Sequence, residues 1–138
     1  MRLVLDTNVV ASALLWGCLP RLLLQAAREK RVALFTSTPL LAELTDILGR
    51  RKFEKKIEAS MFSVDQLVDR YRELTIVVRP LPVSGVAPDP DHDVVIGTAL
   101  AAKAGWIVTG DQLLLSVAMY QGIHFVSVSK AAKSASTR

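Results

Sequence analysis

This chain is poor in the residues that build disulfides and zinc sites. Its 138 residues include one cysteine and two histidines. A lone Cys18 excludes an intramolecular disulfide and fits a reducing cytoplasm. Near the end of an apolar segment, it reads as a small buried hydrophobe rather than a nucleophile. With one thiol and only His92 and His124, tetrahedral zinc has too few ligands. No uncharged apolar run reaches the roughly 18 residues of a membrane span. The run 9–20 is too short, so no membrane role is expected. A signal peptide is not expected either, because Asp6 interrupts the first apolar run. Internal repeats are absent, and so are low-complexity segments before the tail.

What is present is a globular composition. Hydrophobic residues make up 51% and charged residues 22%. That is enough for one domain with a real core. The net charge of +4 is a mild bias toward polyanionic partners.

Apolar runs and turn signals predict alternating strands and helices. Leu3 to Leu5 reads as a buried strand, and Thr7 or Asn8 can cap a helix over Val9 to Trp16. A helix over Arg21 to Lys30 and a strand over Val32 to Thr36 follow. Helices are expected from Leu40 to Arg50 and from Phe53 to Phe62. Ser63 with Gln66 resembles a capping box for a helix over Val64 to Leu74. Thr75 to Arg79 reads as a strand, and Pro80 to Pro90 as one loop. The remaining expectations are a helix from Asp91 to Ala104, a strand from Trp106 to Thr109, a helix from Gln112 to Tyr120 and a strand from Ile123 to Val128. The domain is expected to end at 128, with 129–138 a basic, flexible tail. Such alternation implies an α/β/α sandwich around a central parallel sheet.

The acids stand out against this background. Asp6 ends the run Leu3-Val4-Leu5, and Asp111 follows Ile107-Val108-Thr109-Gly110 in the same manner. Desolvating an unpaired carboxylate costs several kcal/mol, so acids at the ends of dry strands need a reason. In open α/β sheets, sites form at the carboxyl ends of strands. Glu43 lies on the shoulder of its helix's apolar arc and can lean over that edge, whereas Asp46 points further out. In Asp89-Pro90-Asp91-His92-Asp93, one acid caps the following helix. Asp91 suits the cap, and Asp93 suits an inward carboxylate. Asp6, Glu43, Asp93 and Asp111 together would repel unless a divalent cation joined them. Oxygen ligands suit Mg²⁺ or Mn²⁺.

These residues resemble PIN domains, in particular the VapC-like toxin components of type II toxin–antitoxin systems. The matches are Leu3-Val4-Leu5-Asp6-Thr7-Asn8-Val9, Glu43 in the helix after Thr36-Ser37, and Asp89-Pro90-Asp91-His92-Asp93. Ala99-Leu100-Ala101 and Ile107 to Leu114 complete the set. Their order and spacing cover nearly the whole chain. The resemblance implies a flavodoxin-like α/β/α fold and a metal-dependent ribonuclease. The acidic quartet would hold Mg²⁺ or Mn²⁺, and a metal-activated water would cut RNA. Asn8 and Thr109 would support the site, with Asp91 beside it. His92 departs from the family pattern, in which a further acid is usual; this leaves open whether Asp91 or Asp93 faces the metal. The resemblance also implies a cognate antitoxin as partner.

The run Arg50, Arg51, Lys52, Lys55 and Lys56 is a candidate for phosphate contacts, or simply a solvated face. Val9 to Leu15, with Leu19 and Leu22 to Leu24, has more hydrophobics than one buried face needs. That suggests a homodimer or an antitoxin groove, or else a core helix. Three other functions compete. An aspartyl phosphatase would want a second acid where Asn8 stands. A phospho-acceptor domain would want an acid pair on the first strand. A non-catalytic module binding RNA or protein would have no need of the intact acids.

Overall fold

The computed structural model describes residues 1–83, 85 and 90–136, with only the backbone of Cys18, Pro90 and Asp91. The strands are β1 (Arg2–Leu5), β2 (Ala33–Thr36), β3 (Thr75–Val77), β4 (Trp106–Val108), β5 (Met119–Tyr120) and β6 (Ile123–Val126). They form one sheet in the order β3-β2-β1-β4-β6-β5. All neighbours are parallel except β5, which runs antiparallel to β6. The helices are α1 (Thr7–Leu15), α2 (Cys18–Arg28), α3 (Thr38–Leu48), α4 (Glu54–Ser60), α5 (Val64–Glu73), α6 (Pro90–Ala102), α7 (Gln112–Val117) and α8 (Val128–Ser136).

The strands are apolar on both faces because both faces are covered. Leu3, Leu5, Leu34, Val108 and Val126 point to one core, shared with α1, α2, α3, α5 and α8. Val4, Phe35, Ile107 and Phe125 point to the other, under α6 and Leu114 of α7. The expected sandwich is therefore present. Its strand order is not the 2-1-3-4-5 of flavodoxin; it follows the 3-2-1-4 pattern of the dinucleotide folds. The order reverses between β1 and β4, and in open α/β sheets the ligand crevice lies outside the carboxyl ends of the strands at such a point.

Local chemistry explains the elements. Ser63 and Gln66 form the full capping box of α5. Gly97 of α6 lies against the chain after β3, and its carbonyl accepts the Leu81 N–H at 3.0 Å. A Cβ there would overlap the Leu81 carbonyl oxygen.

Other expectations change too: α6 already includes Pro90, so Asp91 lies inside the helix rather than at its cap, and the helix expected from Phe53 to Phe62 is a 3₁₀ turn (Arg51–Phe53) followed by α4. Asp6, not Thr7 or Asn8, takes the N-cap position of α1. The segment expected as one helix to Tyr120 ends at Val117, and Met119–Tyr120 pairs with Ile123 and His124 as a hairpin. Its two-residue turn, Gln121-Gly122, has positive φ at both positions, the geometry that fits the sheet's twist. Finally, the supposed flexible tail is helical through Ser136. Ser127 Oγ accepts the Lys130 N–H at 3.1 Å to start the helix. Ala131, Ala132 and Ala135 are buried. Small side chains let α8 lie close to α2, and the Arg31 guanidinium donates to the Ala135 carbonyl.

Candidate functional site

The crevice between β1 and β4 is built from backbone outward. The Asp6 N–H donates to the Val108 carbonyl at 2.9 Å, closing the end of the strand pair. The Asp6 carbonyl accepts from Val9 and Val10, so its backbone starts α1. Its side chain caps nothing. Instead Asp6 Oδ2 accepts the Thr109 hydroxyl at 2.8 Å. Asp6 is 4% exposed and Thr109 fully buried. Among the described residues, no base pairs with Asp6.

Thr109 works in two directions. Its hydroxyl donates to Asp6 and accepts the Asp111 N–H at 3.0 Å. Asp111 in turn caps α7: its Oδ1 accepts from the Leu113 and Leu114 amides at 2.8 and 3.1 Å. That leaves Oδ2, which lies 3.6 Å from His92 Nε2 at the start of α6.

Glu43 reaches the same edge from α3. The Thr7 hydroxyl donates to Glu43 Oε1. The start of α3 is held against α6 by a buried hydroxyl pair, Ser37 Oγ to Thr98 Oγ1 at 2.8 Å. Thr98 donates to the Val94 carbonyl, so Ser37 is the donor between them. Asp46, expected in solvent, has a 75% exposed side chain and pairs with Arg50 at 3.4 Å.

Threonines hold two of the expected acids, Asp6 and Glu43, and fix the backbone of a third, Asp111. Thr109 bonds both the Asp6 carboxylate and the Asp111 N–H, Thr7, next to Asp6 in sequence, holds Glu43, and His92, in the first turn of α6 with half-buried Asp93, faces Asp111. Among the described residues, no three acid or imidazole groups already surround one point. The Asp91 side chain lies outside the described residues. Asn8, expected as a support, is exposed in the first turn of α1, and its side chain makes no hydrogen bond among the described residues. Thr7 supports instead; it had been read only as a cap. His92 entered the sequence reading as a departure from the family pattern, yet it faces Asp111.

Asp6 supplies the test of whether a cation suits this place. A carboxylate with one hydrogen bond and no counter-charge is costly where water is scarce. Any further acid brought to Asp6 would add repulsion, and the imidazole of His92 faces Asp111 rather than Asp6. Hard oxygen donors of this kind would suit a divalent cation.

The basic run lies elsewhere. Arg50, Arg51, Lys52, Lys55 and Lys56 are all exposed, around a 3₁₀ turn (Arg51–Phe53) and α4. Lys56 Nζ sits 5.2 Å over the Trp16 ring, and Trp16 meets Phe53 edge-on at 5.5 Å. Trp16 caps the C-terminus of α1, about 15 Å along the helix from Asp6 at its N-cap. Beside this patch a cavity of about 460 Å³ opens between α1, α2, α4 and α5, with Arg21, Arg28, Lys56 and Arg70 on its walls. None of the four acids lines it.

Comparison with known proteins agrees with this architecture. No curated protein sequence matches the chain significantly. A solved structure, VapBC2 from Rickettsia felis bound to a DNA fragment from their promoter, superposes with a TM-score of 0.61. The alignment covers 92% of this chain and 98% of that chain at 16% identity, so it supports the fold. The PIN domain family matches residues 2–113, a span from β1 into α7 that includes all four acids. Members of that family are generally nucleases. By this match over most of its length, the chain belongs to the PIN domain family.

Proposed function

We propose that this chain is a Mg²⁺- or Mn²⁺-dependent endoribonuclease and the toxin of a toxin–antitoxin pair. The observation that carries the reading is Asp6. It is a nearly buried carboxylate with no base beside it among the described residues, and Thr109 joins it to the Asp111 N–H across the carboxyl ends of β1 and β4.

Asp6, Glu43, Asp93 and Asp111 would hold the cation. Bound there, a divalent ion would supply charge neutralisation and a water of lowered pKa for attack on phosphorus. The chain's own groups do the rest. Thr109 fixes Asp6 so that its second oxygen remains available. Asp111 presents Oδ2 alone, because Oδ1 is committed to the α7 amides. Thr7 orients Glu43. The exposed bases from Arg50 to Lys56 would draw the phosphate backbone. Attack on phosphorus breaks the bond to the leaving ribose oxygen, and no Ser, Cys or His nucleophile is needed.

The partner reading rests on likeness to a structure described as VapBC2 bound to promoter DNA. It supports a cognate antitoxin for this chain; a homodimer and action in the cytoplasm are further parts of the proposal. A non-catalytic RNA- or protein-binding module is the alternative. Incubation of RNA with Mn²⁺ separates the two. Cleavage by the wild type and none by Asp6→Asn is expected. Equal survival of RNA with both proteins would refute the enzyme.

A further inference from the structure

We propose that His92 is a nitrogen ligand of the cation site, and that it tilts the site from Mg²⁺ toward first-row transition ions such as Mn²⁺. The inference rests on the cation-dependent reading above and adds a donor that the acids alone lack.

The geometry points to His92 in three steps. First, Nε2 lies 3.6 Å from Asp111 Oδ2, too far for a hydrogen bond. Two donors on one ion, each about 2.0–2.3 Å from it, stand roughly 3 to 4 Å apart. Second, Oδ2 is the oxygen that Asp111 has left after capping α7, so the imidazole faces the one position of that carboxylate open to a ligand. Third, the His92 side chain is only 16% exposed, and it precedes Asp93 on the same turn. A half-buried ring held at the crevice by α6 can stay oriented without closing the site.

An imidazole changes what the site selects. Mg²⁺ takes oxygen ligands almost exclusively, whereas first-row transition ions accept imidazole readily. A site with one nitrogen and several carboxylate oxygens should therefore discriminate against Mg²⁺.

The test uses the full chain and Mn²⁺ as probe. Calorimetric titration gives the dissociation constants of Mn²⁺ and of competing Mg²⁺. Electron spin-echo spectroscopy of the bound Mn²⁺ detects a coordinated ¹⁴N. The wild type should show the nitrogen signal. His92→Asp should lose it, keep Mn²⁺ binding, and lower the Mn²⁺-to-Mg²⁺ preference by roughly tenfold. His92→Gln is the second variant should an extra acid disturb folding, and it should also lose the imidazole signature. Mn²⁺ bound to wild type without ¹⁴N coupling, or unchanged selectivity in folded variants, overturns the role of His92 alone. If Mn²⁺ does not bind wild type, or binds Asp6→Asn as well, the cation reading falls and this inference with it.

Discussion

Asp6→Asn should make the metal-free protein more stable and the metal-loaded protein comparatively less so. The change keeps shape. Asn and Asp serve equally at an N-cap, and the capping bonds from Val9 and Val10 go to the main-chain carbonyl. The Thr109 hydroxyl can still donate to the amide oxygen. What disappears is a charge on a side chain 4% exposed. The desolvation penalty of such an ion is several kcal/mol after relaxation. The hydrogen bond from Thr109 weakens by about 1 kcal/mol when its acceptor becomes neutral. The balance favours the variant by about 1 to 3 kcal/mol in EDTA. A cation at 100 times its dissociation constant adds about 2.7 kcal/mol to the wild type, and little to a variant that no longer holds it. The gap should thus close or reverse with Mn²⁺. Urea unfolding followed by circular dichroism, with EDTA and with Mn²⁺, measures both arms. A variant more than about 1 kcal/mol weaker in EDTA would show that the chain itself satisfies the Asp6 charge. Equal gains with Mn²⁺ would place the ion elsewhere.

Three further outcomes are expected. Thr109→Val keeps the volume but removes the donor to Asp6 and the acceptor of the Asp111 N–H, so urea unfolding should show a loss of about 2 to 4 kcal/mol. Tyr71→Phe removes a buried hydroxyl with no partner among the described residues, and stability should hold or rise by up to about 1 kcal/mol. Burial raises the Tyr71 pKa well above the ordinary phenol range, so the unfolded chain ionises first. Stability present below about pH 10 is then lost as pH rises further, and the phenylalanine variant should lose less of it in alkaline melts. Gly97→Ala gains helix propensity but drives a Cβ into the Leu81 carbonyl, a backbone atom that cannot swing aside. A lower melting temperature, worth about 1 to 3 kcal/mol, is expected; a higher one would mean that the chain after β3 moves freely.

The sheet was legible because its strands are apolar on both faces, and the acids were legible because they interrupt that pattern. The capping box at Ser63 could be read directly, since its chemistry is local. Met119–Tyr120 could not, for two residues leave no period, and the apolar run before them continues the helix pattern. The helix α8 was hidden by its small residues. Alanines carry little hydrophobic signal, and their burial depends on α2 lying close by. In the site, the sequence pattern nominated the carboxylates but carried no sign of what orients them. Thr7 and Thr109 are ordinary hydroxyls until β1 and β4 stand side by side. The turn that aims His92 at Asp111 belongs to α6 docking on the sheet.

The bond between Thr109 and Asp6 joins residues 103 apart. Closing a flexible loop of that length carries an entropy cost on the order of 4 kcal/mol, met only by the packing of everything between. A chain that has folded β1, β2 and β3 already owns Asp6, Thr7 and Glu43, yet it has no Thr109 to orient the first acid and no Asp111 to face it. The assembled crevice is thus a late product of folding. It should also be an early casualty of opening at β4, lost while most helices still stand. Whatever power resides in these acids belongs to the finished fold and to no fragment of it.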